Sequence, residues 1–319
     1  MKSIQWESVF KDYSIEIKEY AESNTPAATP ITSFAILKIS GNDRYSFLQN
    51  QFTNKLTEKK ICQLSAWCNP KGKVITNFII INIGESYLLI FKKDLKDYLH
   101  KKLNQYIFRS EVFIDDVSST FFLLGLSNTS KVKTEYFVIP ENEGDIEFFN
   151  ESYITRLPDS SGRYLIVGDI KIIKNISYEL KNTVDFVGYS NWEKLDILSK
   201  VVWIDFNNKE KYLPQMINLD ELNAISFKKG CYSGQEVVAK VHYLGKIKRT
   251  LKLVSSKHEL YSENYVFAGN SEKKVGDIIN SSTIPSGEDF FALAVIESDK
   301  LNDSLYADQD EKQKIYIIQ

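Results

Sequence analysis

The sequence predicts an α+β protein with a small β-domain at its C-terminal end, and three observations predict it. Strand-like runs divided by turn residues outnumber the few amphipathic helical runs. No G-x-G-x-x-G or phosphate-loop pattern follows any of those strands, which removes support for a doubly wound nucleotide-binding sheet. After about Lys246 the helical pattern stops, and short strands separated by Ser, Asn and Gly turns take over.

Each element has its own local reason. A short N-terminal helix is followed by residues 21–33 (AESNTPAATPITS), which are small, polar and twice broken by proline, and read as an exposed loop. Residues 34–39 read as a well-covered strand. Ser40 or Asn42 can cap a helix running to about Lys55, with Tyr45, Leu48 and Phe52 on one face. Strands are expected at 62–68, 74–83 and 87–91, with the turn signals Asn69-Pro70-Lys71-Gly72 and Gly84-Glu85-Ser86 between them. A helix over 94–106 turns Leu95, Tyr98, Leu99, Leu103 and Tyr106 inward, and strands near 111–117 and 121–126 follow. Residues 127–152 mix polar runs with short apolar pieces and read as variable loops. Helical patterns return at 169–181 and 191–203.

Composition bounds the function. The 319 residues are 43% hydrophobic and 26% charged, a globular balance with enough chain for two or three domains. Forty Lys+Arg against 42 Asp+Glu leave a net charge of -2, which excludes a surface that is basic throughout. Only Arg44, Arg109, Arg156, Arg163 and Arg249 supply the planar fork suited to phosphate, so direct nucleic acid binding is not expected. Cys62, Cys68 and Cys231 are too few for a disulfide framework, and the longest apolar runs are strand-sized, so a cytoplasmic chain without a membrane partner is the simplest expectation.

The informative stretch is Lys228-Lys229-Gly230-Cys231-Tyr232-Ser233-Gly234-Gln235-Glu236. Glycines on both sides of the cysteine allow positive φ and close backbone approach. Lys228, Lys229 and Lys240 place ammonium groups near a thiol, the setting of a nucleophilic or metal-binding cysteine. Gln235 and Glu236 offer polar groups to a heterocycle or a partner. The same residues also describe a glycine-flanked turn whose cysteine merely packs.

The motif resembles the KGCYxGQE signature of the YgfZ family, folate-binding proteins related to the glycine-cleavage T-protein. Other stretches share the resemblance: 214–227 running into the signature, Phe47-Leu48-Gln49-Asn50-Gln51-Phe52-Thr53, Pro70-Lys71-Gly72-Lys73, Val275-Gly276-Asp277-Ile278 and Phe291-Ala292-Leu293-Ala294-Val295. The resemblance implies two interlocked α+β domains over 1–245, forming a folate site and carrying the cysteine, then a C-terminal β-barrel over 246–319, in a T-protein-like ring. It implies a factor for assembly or repair of iron–sulfur proteins, including tRNA-modifying enzymes, that works with tetrahydrofolate or a folate derivative and centres on Cys231. A lone cysteine cannot hold a cubane cluster, so any cluster would be transient and shared with a client protein.

Carried over position by position, the residues that would flank the pterin are Phe34, where the family commonly has tryptophan, and Trp192. Each is equally a core aromatic on composition alone. The family's Gly-x-Pro turn is replaced here by Lys200-Val201-Val202. At the turn where the T-protein carries paired carboxylates, this chain has Thr76 and Asn77, which cannot take a proton as a carboxylate does. Asn77 is left to bind a ligand or to satisfy strand backbone. The alternative function, a folate-dependent one-carbon transferase or demethylase, loses weight for that reason. Cys62 and Cys68 lack metal spacing, no metal site is expected, and His100, His242 and His258 form no cluster, although His242 follows the motif closely. Lys246, Lys248 and Arg249 could attract a folate glutamate tail or an acidic partner, or form a solvated strand face.

Overall fold

The structure, a computed structural model, describes residues 6, 10–22, 25–129, 137–159, 161–262, 264–269, 273–307 and 313–318. They divide into two compact units, one of Met1–Leu48, Leu56–Leu64 and Phe78–Trp192, the other of Gln49–Lys55, Ser65–Asn77 and Glu193–Gln319. The chain therefore enters each unit more than once before Glu193.

The elements run in this order. β1 (Ile17–Lys18), β2 (Ala27–Pro30) and β3 (Phe34–Ser40) lead to α1 (Arg44–Gln51). β4 (Cys62–Cys68), β5 (Val74–Asn82), β6 (Tyr87–Lys92), α2 (Lys96–Asn104) and β7 (Phe113–Asp116) follow. Next come β8 (Phe121–Ser127), β9 (Ile146–Phe149), β10 (Ser152–Arg156), β11 (Tyr164–Asp169), α3 (Ile170–Leu180), β12 (Asp185–Val187) and α4 (Tyr189–Leu198). α5 (Gln235–Leu244) precedes β13 (Arg249–Ser256), β14 (Tyr265–Ala268), β15 (Lys274–Ser281), β16 (Phe290–Glu297), β17 (Leu305–Tyr306) and β18 (Lys314–Ile318). The mix of strands and few helices is the α+β class read from the sequence.

In the first unit, the described residues form a seven-stranded sheet in the order β1-β12-β2-β8-β11-β10-β9. Alternate residues of its central strands, Phe122, Leu124, Leu126 and Ile166, pack with Ile173, Ile176 and Leu180 of α3, the period-two face meeting the 3.6-period stripe. The Asp169 carboxylate caps α3 by accepting the Lys171 N–H at 2.7 Å. A second sheet has the order β4-β5-β6-β3-β7, and β5 is buried at every position. In the second unit, the described residues close a β-barrel in the order β13-β16-β15-β14-β17-β18, with β13 paired to both β16 and β18. Its interior is filled by small and branched residues such as Val254, Val266, Ile278, Ala292, Ala294 and Ile296.

Four local readings change. Residues 21–33 are not an exposed loop throughout, because Ala27–Pro30 are all buried as β2 between β12 and β8. Alanine and proline are poor strand formers, but the paired neighbours supply the ladder, and Pro30 sits at the strand end. Residues 127–152 hold β9, while 130–136 lie outside the described residues, as does most of the expected N-terminal helix. The helix expected over 191–203 is α4, which ends where Lys200 turns left-handed at φ +57° and Val201 N–H returns to the Asp196 carbonyl. α5 had no expected counterpart. No helix among the described residues is long and apolar enough to cross a membrane.

The sheet of the first unit also dictates one glycine. A Cβ on Gly125 in β8 would stand 2.3 Å from the Trp192 ring. Gly125→Ala therefore forces the indole or the strand to move, and urea unfolding should show a loss of about 1–3 kcal/mol; unchanged stability contradicts this packing.

Candidate functional site

The site is built in the second unit, around the loop that carries Cys231. Cys231 is exposed, whereas Cys62 and Cys68 are buried. Burial pushes the Cys62 thiol up to about 12 and drives that of Cys68 higher still. Accessible thiol chemistry thus belongs to Cys231.

Two anchors hold the loop. The first is a backbone-to-backbone contact between the start of α5 and the Asn69–Gly72 turn. That turn closes on itself: the Asn69 side-chain oxygen accepts the N–H groups of Lys71 and Lys73, each at 3.0 Å. Gly72 adopts φ +73° and Gly234 φ +81°. A Cβ on Gly234 would stand 2.4 Å from the Asn69 carbonyl oxygen and 2.8 Å from the Gly72 Cα. A Cβ on Gly72 would stand 3.0 Å from that of Val237 in α5. Both glycines are required for conformation and for space.

The second anchor is Lys229. Its ammonium donates to the Phe52 carbonyl at 2.5 Å and the Asn54 carbonyl at 2.9 Å, and lies 5.3 Å from the Tyr232 ring centroid. Burial pushes this lysine down to about 8. Tyr232 is itself buried, and burial, followed by the neighbouring Cys68, raises its phenol. Gln235 Nε2 donates to the Lys229 carbonyl at 3.4 Å, and its N–H to the Tyr232 carbonyl at 3.2 Å, which turns the chain into the helix. Glu236 is exposed in the first turn of α5, where the helix dipole favours a carboxylate, and Lys228 is exposed beside the loop. A Cβ on Gly230 would meet nothing within 4 Å.

The stretches leading into the signature support the same loop. Thr53 Oγ1 donates to the Ala224 carbonyl at 2.8 Å, and Ser226 N–H donates to the Thr53 carbonyl at 3.0 Å. Buried Gln215 donates to the Val238 carbonyl of α5 at 2.7 Å. Residues 52–54, the Asn69–Gly72 turn and residues 215–226 therefore all hold the loop and helix on either side of Cys231. His242 is stacked on Phe227, with centroids 3.6 Å apart and planes 12° apart, and Tyr243 meets it edge-on.

The other expected residues have partners of their own. Phe34 and Trp192 belong to the first unit, and their exposures of 2% and 3% leave no open ring. The Arg163 guanidinium lies 4.5 Å from the Trp192 ring centroid and is paired with Asp159 at 3.1 Å, both partners buried. The Lys92 ammonium lies 5.3 Å from both the Phe34 and Tyr189 rings. A pterin stacking on either ring would have to displace a resident cation, so as they stand these two rings do not fit a stacked pterin. Asn77, in the second unit, donates to the Val202 carbonyl at 2.7 Å and accepts the Ile204 N–H at 3.0 Å. Its amide thus satisfies backbone groups of the segment that follows Lys200, and Thr76 is fully buried beside it.

Against known proteins, no protein-family model matches the chain. The tRNA-modifying protein YgfZ of Colwellia psychrerythraea is 31% identical over 258 residues, 78% of this chain and 79% of that one. This chain belongs to the YgfZ family. The crystal structure of glycine cleavage system aminomethyltransferase T from Bartonella henselae superimposes with a TM-score of 0.75, covering 98% of this chain and 95% of that one. At 11% identity that likeness establishes the fold, and the T-protein-like fold read from the sequence is the fold found.

Two features of this YgfZ-family site were not legible in advance. The carbonyls of Phe52 and Asn54 as the seat of Lys229 have no sequence signal. The Gly72–Gly234 contact had a partial one, since both glycines stood in stretches already singled out. Two predictions follow from the anchors. Gly234→Ala combines a left-handed backbone with a steric clash and should cost at least about 2 kcal/mol in urea unfolding, while Gly230→Ala should stay within about 0.5 kcal/mol; equal effects contradict the packing. For Lys229, burial lowers the folded value to about 8 from 10.5. Between those values the unfolded chain holds a proton that the folded chain has released, so stability contributed here rises with pH. The stability difference between the native chain and Lys229→Met should grow in favour of the native chain above pH 8; a flat difference contradicts the buried ammonium.

Proposed function

We propose that this YgfZ-family chain is a folate-binding accessory factor for assembly or repair of iron–sulfur proteins, tRNA-modifying enzymes among them, and that Cys231 is its working thiol. The observation that carries the reading is one exposed thiol on a loop anchored at two points, in a chain whose other thiols are buried. An anchored loop keeps a nucleophile or ligand at a fixed place, which lowers the entropy lost when a partner's atom reaches it. The relative named as a tRNA-modifying protein and the T-protein-like fold support the setting.

The donor set limits how an iron–sulfur cluster could be involved. A cubane usually takes four thiolates, and one accessible cysteine does not fit a resident cluster. Cys231 would complete a ligand set supplied mainly by a client protein, exchange with a client thiol, or hold the client. The folate part of the reading rests on the fold, and the covered faces of Phe34 and Trp192 require Lys92 or Arg163 to give way if a pterin stacks there. The alternative, a one-carbon transferase, has no carboxylate at Thr76 or Asn77, and the Asn77 amide is already engaged with backbone.

In cells lacking their own family member, the native chain should restore client-dependent tRNA modification. Cys231→Ala should fold with an unchanged melting temperature and restore less than about a tenth of that level; full restoration removes Cys231 from the function. Anaerobic titration with tetrahydrofolate, followed by tryptophan fluorescence in the native chain and in Trp192→Phe, tests the folate part. A saturable change is expected, and no binding by the folded native chain contradicts it.

A further inference from the structure

Within the second unit an open groove of about 1030 Å³ runs beside the barrel. It is lined by Lys73, Lys211, Lys246, Lys248, Arg249 and Lys274. Its carboxylates are Asp277, Glu297 and Asp299. The deeper charges cancel: Arg249 reaches Asp277 at 3.3 Å and Glu297 at 3.4 Å, and Lys274 reaches Asp277 at 2.6 Å. Among the described residues, Lys73, Lys211, Lys246 and Lys248 form no ion pair, so the groove keeps a cationic lip in a chain that is slightly acidic overall.

The lip is tied to the cysteine loop at both ends of α5. Lys73 closes the turn whose Gly72 packs against Val237 and Gly234. Lys246 and Lys248 follow directly after Gly245, the C-cap of the same helix. At 1.5 Å per residue α5 is ~15 Å long, a distance that about five extended residues cover. Tyr243 and Leu244, 65% and 84% exposed, end the helix just before this lip.

We propose that this groove is the docking site for an extended acidic segment of a protein partner. Two observations favour a peptide over a nucleic-acid strand. The one arginine, the side chain with the planar fork for phosphate, is committed to Asp277 and Glu297. Asp299 stands on the wall outside those pairs, and a peptide can place an apolar residue beside it where a strand's phosphates recur at every nucleotide. The proposal rests on charge and surface, and uses neither folate nor the chemistry of Cys231.

The test uses the full chain and a fluorescein-labelled peptide of roughly eight residues, mostly Glu with one Leu and one Phe, in fluorescence anisotropy. Saturable binding is expected that weakens with salt. It should fall about tenfold or more in Lys246→Glu combined with Lys248→Glu, and less in the paired Gln variant. It should be unchanged in Lys314→Glu, an exposed lysine of β18 outside the groove. Binding should also survive Cys231→Ala, which separates this proposal from the functional one. No saturable binding, equal loss in Lys314→Glu, or indifference to the groove variants overturns the proposal. Tighter binding of a single-stranded RNA of equal charge to the groove assigns it to nucleic acid instead and overturns it as well.

Discussion

Two glycine backbones pressed together, at Gly72 and Gly234, determine where Cys231 stands. Neither position tolerates a side chain: Gly234 would put a Cβ into the Asn69 carbonyl, and both residues hold positive φ. That contact fixes the start of α5, and the start of α5 restrains the four residues before it, Cys231 among them. Lys229 then removes the remaining freedom by donating to two carbonyls just beyond α1. The arrangement commits a partly buried ammonium to a loop, at a cost in desolvation. A packing cysteine on a surface turn would need none of it.

A side chain also holds backbone at Asn77, whose amide ties its strand to Val202 and Ile204. Lys200, left-handed at φ +57°, turns the chain out of α4 just before that segment. In the first unit, buried Arg163 is committed to Asp159 and to the face of Trp192. Such a pair specifies geometry more than it adds stability.

Much of this was written in local sequence. The strands of the second sheet, the helices at Arg44–Gln51 and Lys96–Asn104, and the shift to a β-domain after Lys246 all follow from period and turn residues. What escaped depends on tertiary partners. β2 is made of residues that disfavour strands and exists because β8 and β12 flank it. α5 is rich in valine, so its own pattern hid it, and Gly234 with the Gln215 bond to Val238 holds it as a helix. The cysteine motif was legible as a motif, but its seat was not, because Lys229 finds its carbonyls at Phe52 and Asn54, more than a hundred residues away. Lys246 and Lys248 read equally as a site for an acidic group or as a solvated strand face, and it is the groove they line beside Lys73 and Lys211 that the sequence did not show.

The central claim is that the fold presents one thiol and buries the other two. Timed alkylation of the native chain by iodoacetamide, with the modified cysteines mapped by mass spectrometry, tests it most directly. The account predicts rapid modification at Cys231, with Cys62 and Cys68 reacting only after denaturant unfolds the chain. Modification of Cys62 or Cys68 at a rate comparable to Cys231 in the native state would contradict it.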